Sequence, residues 1–144
     1  MVDKNEEACR KKDTMGVTGI GVDIIKVSRV ERLIREKGQR FIKRIFTDAE
    51  QRYCGRFKQK AERYAARFAA KEAVRKAVSP LYRGYYNFRE IEVVRRADGM
   101  PGIKLHGKLA KLEEQNVQFM VSLSHEQDYA IAVVVMIREP SVER

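Results

Sequence analysis

Gly19-Ile-Gly-Val-Asp-Ile-Ile25 decides how this chain begins to fold. Ile20, Val22 and Ile24 alternate with Gly19, Gly21 and Asp23, the period of a strand with one packed face, and the isoleucine and valine side chains are the expected packed set. The other face then carries two glycines and an acid. Missing side chains beside Asp23 leave room for something bulky, a ligand or another backbone. A carboxylate on so apolar an element needs a cation, and on this chain that cation is a metal or an arginine.

Working outward, Ser28-Arg-Val-Glu31 has the spacing of a capping box, and Gly38 supplies a stop signal for the helix it opens. That helix should bury Val30, Leu33 and Ile34 and turn Arg29, Arg32 and Arg35 toward water. Thr47-Asp-Ala-Glu50 repeats the signature, and helix-favouring residues run from there to Val78, with a break expected near residues 55–60. Ser79-Pro80 ends the run. Residues 88–96 and 103–106 read as strands joined by the turn Asp98-Gly-Met-Pro-Gly102, and residues 108–115 as a short helix. Val117, Phe119, Val121 and Leu123 alternate again. Residues 129–137 are almost wholly apolar, which predicts a strand covered on both faces. A strand, then helices, then several strands give an α+β domain. Residues 1–15 form a polar leader, 16–138 the domain and 139–144 a tail.

At 144 residues one domain can bury a core without staples. Two cysteines, Cys9 and Cys54, are too few for a disulfide framework and lack metal-ligand spacing, so both are expected as reduced thiols in a cytoplasmic protein. The first residues lack an apolar run, and no stretch approaches the length of a membrane span. Thirty Lys plus Arg against twenty Asp plus Glu leave a net charge of +10, enough to draw an anionic partner. Nucleic acid, an acidic protein and a phosphorylated metabolite all qualify.

The second informative stretch is Arg67-Phe-Ala-Ala-Lys-Glu-Ala-Val-Arg-Lys-Ala77, an alanine-rich helix. Glu72 and Lys76 are four apart and leave one face of it together, in the ordinary case as a surface ion pair worth about 0.3–0.5 kcal/mol. Alanines at 65, 66, 69, 70, 73 and 77 argue against full exposure, because they let another backbone pack closely. Should Asp23 and Glu72 converge, two hard oxygen ligands completed by waters and phosphates suit Mg²⁺, and Lys76 then meets phosphate oxygens as a point charge. Such a set suits phosphoryl chemistry. His125, in the tight turn Ser124-His-Glu-Gln-Asp128, is in the ordinary case a surface or capping residue, and His106 has a weaker claim still.

Taken together these stretches resemble a known family. Gly19-Ile-Gly-Val-Asp-Ile-Ile25 with Arg29, Arg67-Phe-Ala-Ala-Lys-Glu-Ala73 with Lys76, Asp98-Gly-Met-Pro101, and Val121-Ser-Leu-Ser-His125 before Tyr129-Ala-Ile-Ala132 occur in the order of the short, single-domain bacterial 4′-phosphopantetheinyl transferases. The likeness spans residues 16–137. It implies a small, mostly antiparallel sheet packed with helices, and transfer of 4′-phosphopantetheine from coenzyme A to a serine of apo acyl carrier protein. By the same resemblance Asp23 and Glu72 bind magnesium and Lys76 lies at the coenzyme phosphates, while His125 and Arg67 line the coenzyme pocket. Arg29 contacts an acidic acyl carrier protein, supported by Arg32, Arg35 and Arg40. The family likeness further implies a homotrimer with sites shared at subunit boundaries.

One segment departs from the family pattern. Where many relatives have a glycine-rich turn after the lysine, this chain has Ser79-Pro-Leu-Tyr-Arg-Gly-Tyr-Tyr86, leaving Ser79, Arg83 or Gly84 to replace the lost backbone contact. Two rivals stand beside the enzyme. A basic nucleic-acid-binding module accounts for the charge but has no helix-turn-helix, zinc or aromatic single-strand signature. A degenerate relative that binds carrier without transfer fits the altered turn.

Overall fold

The computed structural model describes residues 16–140. The predicted leader, Cys9 and residues 141–144 of the tail lie outside the described residues. Strand β1 (Gly16–Lys26) runs without a loop into helix α1 (Val27–Lys37), followed by α2 (Gln39–Ile45), α3 (Asp48–Cys54) and the long α4 (Lys60–Val78). A 3₁₀ turn (Phe88–Glu90) leads into β2 (Ile91–Arg95) and β3 (Pro101–Leu105). A second 3₁₀ segment (Gly107–Gln115), then β4 (Val117–His125) and β5 (Tyr129–Arg138), complete the chain. β1, β5 and β4 form one antiparallel sheet in that order, and β2 pairs with β3 in a separate hairpin. This is the expected α+β architecture.

Local signals hold where they are made of backbone chemistry. Thr47 and Glu50 form the predicted reciprocal cap, Thr47 N–H donating to Glu50 Oε1 at 2.8 Å and Glu50 N–H to the Thr47 hydroxyl at 3.3 Å. Gly38 closes α1 with φ of 56° and its N–H on the Ile34 carbonyl. The cap expected at Ser28 and Glu31 does not form. Because β1 passes straight into α1, the cap position falls on Lys26, Ser28 is already helical, and Val27 N–H goes to the Asp128 carbonyl instead. The expected break between α3 and α4 spans residues 55–59. β2 starts three residues later than predicted, since Asn87 and Glu90 cap the 3₁₀ turn before it.

The face assignment of β1 is inverted. Gly19, Gly21 and Asp23 look toward α4, while Val17, Ile20, Val22 and Ile24 are all more than half exposed. A Cβ placed on Gly19 or Gly21 would fall inside the carbonyls of Ala77 and Ala73, so the bulky neighbour inferred beside Asp23 is the backbone of α4. The glycines and the alanines of α4 meet at backbone distance, a contact no larger side chain permits. β5 is likewise covered on one face only: Ala130, Ala132, Val134 and Met136 are fully buried, while Tyr129 and Ile131 are exposed on the other. Within one chain the outer face of this sheet is an apolar surface, with Met120 of β4 also on it.

Gly21→Ala is therefore expected to cost about 1–3 kcal/mol through overpacking. Gly16→Ala, where the added methyl meets nothing within 4 Å, should change stability by less than about 0.5 kcal/mol. Urea midpoints of the two variants check the pair, and equal midpoints would refute the close packing of α4 on β1.

Candidate active site

The register of α4 on β1 places the first acid. Gly19 lies against Ala77 and Gly21 against Ala73, so two strand residues match one helical turn, and Asp23 comes alongside the turn at residues 69–72. Lys76 reaches back over the edge of β1, its Nζ donating to Asp23 Oδ1 at 3.3 Å and to the Val22 carbonyl at 2.8 Å. The cation that Asp23 requires within the chain is thus a lysine. Sequence spacing set Lys76 against Glu72; in the folded chain it pairs with Asp23. Glu72, half-buried, stands one turn before Lys76 on the same stripe. Asp23 and Lys76 therefore meet at the edge strand β1, with Glu72 one helical turn from Lys76.

His125 and Arg67 lie elsewhere. At the end of β4, the opposite edge strand, His125 Nδ1 lies 2.5 Å from Glu62 Oε1 and its Nε2 lies 3.5 Å from Arg63 Nη1. Arg67 is buried with its guanidinium 3.8 Å from the centre of the Tyr53 ring, and its Nε has no protein partner. Arg63 stacks similarly on Phe57 at 4.1 Å. Arg63, Arg67, Arg95 and His125, with Met100 and Pro101 of the predicted turn, line a cavity of about 250 Å³. Three guanidinium side chains and an imidazole around one concavity, with a buried unpaired N–H among them, have the charge and donors that suit an anion. β5 separates the two edge strands, so the sheet alone holds this cavity and the acidic edge about 10 Å apart.

On the helical side, Arg29, Arg32 and Arg35 are exposed along α1. Arg40 borders a cavity of about 650 Å³ with Lys37, Arg44 and Arg75, floored by Phe41 and Phe88. Arg75 lies 4.8 Å over the Phe88 ring. In the divergent segment Ser79 donates its hydroxyl to the Lys76 carbonyl at 2.9 Å, and Arg83 and Gly84 are exposed beside an open concavity that includes Arg75 and Tyr82. His106 rests on Glu92 Oε1 at 3.2 Å, within reach of neither group.

Among the described residues no cluster of three or more His, Cys, Asp or Glu side chains is placed to enclose a metal ion. Asp23 and Glu72 offer two hard oxygen ligands at an accessible edge. That set fits a Mg²⁺ ion that keeps most of its waters and takes phosphate oxygens, and does not fit a closed all-protein site.

A buried pair went unnoticed in the sequence. Lys71 and Glu50 are fully buried and 2.6 Å apart, and Lys71 spends its remaining protons on the carbonyls of Phe88 and Ile91. Burial pushes the Lys71 ammonium below the usual lysine range, with Glu50 pulling it back up. Glu50 also accepts the Val93 N–H at 3.0 Å, so the pair joins α4, the start of α3 and the β2–β3 hairpin beside Glu72. The signal was available: Lys71 shares its helical stripe with Val74 and Val78. Cys54, the free thiol among the described residues, is fully buried, and burial pushes it up to about 12, which makes it an inert core side chain.

Comparison with known proteins decides the family. The model of the 4′-phosphopantetheinyl transferase superfamily matches residues 19–134, most of the described domain. The chain belongs to that superfamily. It is 42% identical over 121 residues to a holo-(acyl-carrier-protein) synthase of Gloeobacter violaceus, an alignment covering 82% of this chain and 91% of the relative. Its fold is similar to the crystal structure of the holo-(acyl-carrier-protein) synthase from Neisseria meningitidis, with TM-score 0.75, 38% identity, and coverage of 84% of this chain and 98% of that one. It is also similar to the Bacillus anthracis synthase in complex with CoA (3′,5′-ADP), with TM-score 0.70, 31% identity, and coverage of 88% and 100%. Residues 19–134, the span of that match, include Asp23, Arg67, Glu72, Lys76 and His125.

Proposed function

We propose that this protein transfers 4′-phosphopantetheine from coenzyme A to a serine of apo acyl carrier protein, and that each site is completed by a neighbouring copy of the chain. The observation that carries the reading is the contact of Lys76 with Asp23 at the edge strand β1, with Glu72 one turn before Lys76 on α4, in a chain about 40% identical over more than four fifths of its length to proteins named holo-(acyl-carrier-protein) synthase and similar to them in fold. In the reaction the carrier serine oxygen attacks the β-phosphorus of coenzyme A in line. A new P–O bond forms, the pyrophosphate P–O bond breaks, and adenosine 3′,5′-bisphosphate leaves with the electron pair while the serine proton passes to solvent. Asp23 and Glu72 are the residues that would hold Mg²⁺, which when bound would neutralise the phosphate oxygens. Lys76 exchanges its contact with Asp23 for the phosphate and offsets charge on the departing group. Catalysis of this kind rests on positioning and charge.

The arginine-lined cavity holding His125 suits the coenzyme's own phosphates, yet it stands at the opposite edge of the sheet from the acids. A coenzyme lying between two copies, with the acids from one and Arg67 and His125 from the other, resolves that separation. The exposed face of Ile20, Val22, Ile24, Tyr129, Ile131 and Met120 supports assembly, since a monomer seldom leaves so much apolar surface to water. Three copies in a ring give every chain one neighbour on each side. Light scattering is expected to give three times the chain mass, and a monomer would remove the shared-site reading.

The carrier is acidic and meets the basic helical side, at Arg29, Arg32 and Arg35 of α1 and at the cavity bordered by Arg40. Arg40→Glu should raise KM for apo carrier about tenfold, the size of one interfacial charge contact, and leave KM for coenzyme A unchanged. The same KM for carrier would take Arg40 off the docking surface. No helix among the described residues is long and apolar enough to cross a membrane. Incubation with coenzyme A, Mg²⁺ and apo carrier, followed by mass measurement of the carrier, tests the activity. Gain of the phosphopantetheine mass is the expected result. Carrier binding without mass gain would favour a degenerate relative, and coenzyme-independent DNA binding with a steep salt slope a nucleic-acid module.

A further inference from the structure

Glu62 opens the first turn of α4, and its carboxylate is turned toward the end of β4 rather than into solvent. It holds His125 at 2.5 Å through Nδ1, and the two side chains are only 17% and 25% exposed. Arg63 faces the other ring nitrogen at 3.5 Å. Every other charged group around the cavity is a guanidinium: Arg63 and Arg67 from α4 and Arg95 from β2. We propose that Glu62 is a positioning residue for coenzyme binding, fixing the imidazole of His125 so that its Nε2 is presented to an anionic group entering the arginine-lined cavity. This rests on the reading of that cavity as part of the coenzyme site.

The chemistry follows from the two nitrogens. With Nδ1–H donating to Glu62, the neutral ring offers only a lone pair at Nε2, which faces the Arg63 donor. A phosphate oxygen in the cavity needs a donor there. Held through Nδ1 by Glu62, the ring has its Nε2 beside Arg63 at the cavity, where an N–H would meet that oxygen, and the carboxylate offsets positive charge among three guanidinium groups. Without Glu62 the imidazole loses its fixed rotation and the anion beside it among the guanidinium groups. The arrangement is that of a metal- or phosphate-binding histidine oriented by a carboxylate behind it.

Steady-state transfer at saturating apo carrier, with coenzyme A varied, tests this on the full chain. Glu62→Gln is expected to raise KM for coenzyme A about tenfold, the worth of one charge-assisted hydrogen bond, with kcat within about twofold of the parent. His125→Ala should raise it by a similar factor. The double variant should be no worse than His125→Ala alone, because Glu62 acts through the ring it holds. Additive losses would overturn the proposal, as would an unmoved KM in Glu62→Gln when His125→Ala raises it. A fall in melting temperature and kcat together, with KM unchanged, would reduce Glu62 to a structural contact. Should His125→Ala itself leave KM for coenzyme A unchanged while transfer continues, the coenzyme reading of the cavity fails, and this inference with it.

Discussion

Asp23→Asn and Glu72→Gln are each expected to lower the rate of carrier modification at least a hundredfold, while the circular dichroism spectrum and melting temperature stay close to the parent's. The size follows from the loss of one charged group poised where phosphate charge develops, a change worth about a hundredfold to a thousandfold in comparable sites. Stability is spared because neither acid is part of the core. Asp23 is held by a half-exposed lysine, an ion pair of the sort that contributes about 0–1 kcal/mol. Raising Mg²⁺ should recover part of the activity of either single variant and none in the double variant, since each amide removes one of two oxygen anions. Turnover at the parent rate in both variants would separate the acids from the chemistry.

Glu50→Gln is expected to cost about 3–5 kcal/mol of stability, because it leaves the Lys71 ammonium buried without a counter-charge. Lys71 is fully enclosed, and both carbonyls it touches lie at the junction between α4 and the hairpin, so no movement short of opening the core can hydrate it. The double replacement Glu50→Leu with Lys71→Met should recover most of the loss, since apolar residues of similar volume remove both charges together. Urea denaturation of the three forms gives the comparison. A single variant within 1 kcal/mol of the parent would show that the pair is solvated in solution, contrary to the packing described.

What could be read from the sequence, and what could not, has a consistent physical origin. Caps, stops and breaks were legible at Thr47, Gly38 and residues 55–59 because they are satisfied by neighbours a few positions away. The inversion of β1 was not, because alternation reports that two faces differ and not which one is buried. There the glycine face won, since α4 packs through its own backbone against Gly19 and Gly21. Ile20, Val22 and Ile24 look like core residues in the sequence and are a surface of the single chain. The Glu50–Lys71 pair joins residues 21 positions apart, so the apolar stripe of Val74 and Val78 marks Lys71 for burial while no local pattern names Glu50 as its partner. Both groups of candidate residues were named from sequence, but the placing of Asp23 and His125 on opposite edge strands depends on the order β1-β5-β4, which connectivity along the chain does not dictate.

That separation makes the central claim of this account open to one direct measurement. Asp23→Asn chains, defective in the acidic half, are co-expressed with Arg67→Met/His125→Ala chains, defective in the cavity half, each with a different tag, and assemblies carrying both tags are assayed for transfer to apo carrier. If the two halves meet between copies, one junction in three of every ring of three that carries both tags contains both intact halves, and activity returns to about one third of the parent's. Mixed assemblies no more active than the two parental variants would place each site within one chain and contradict the account.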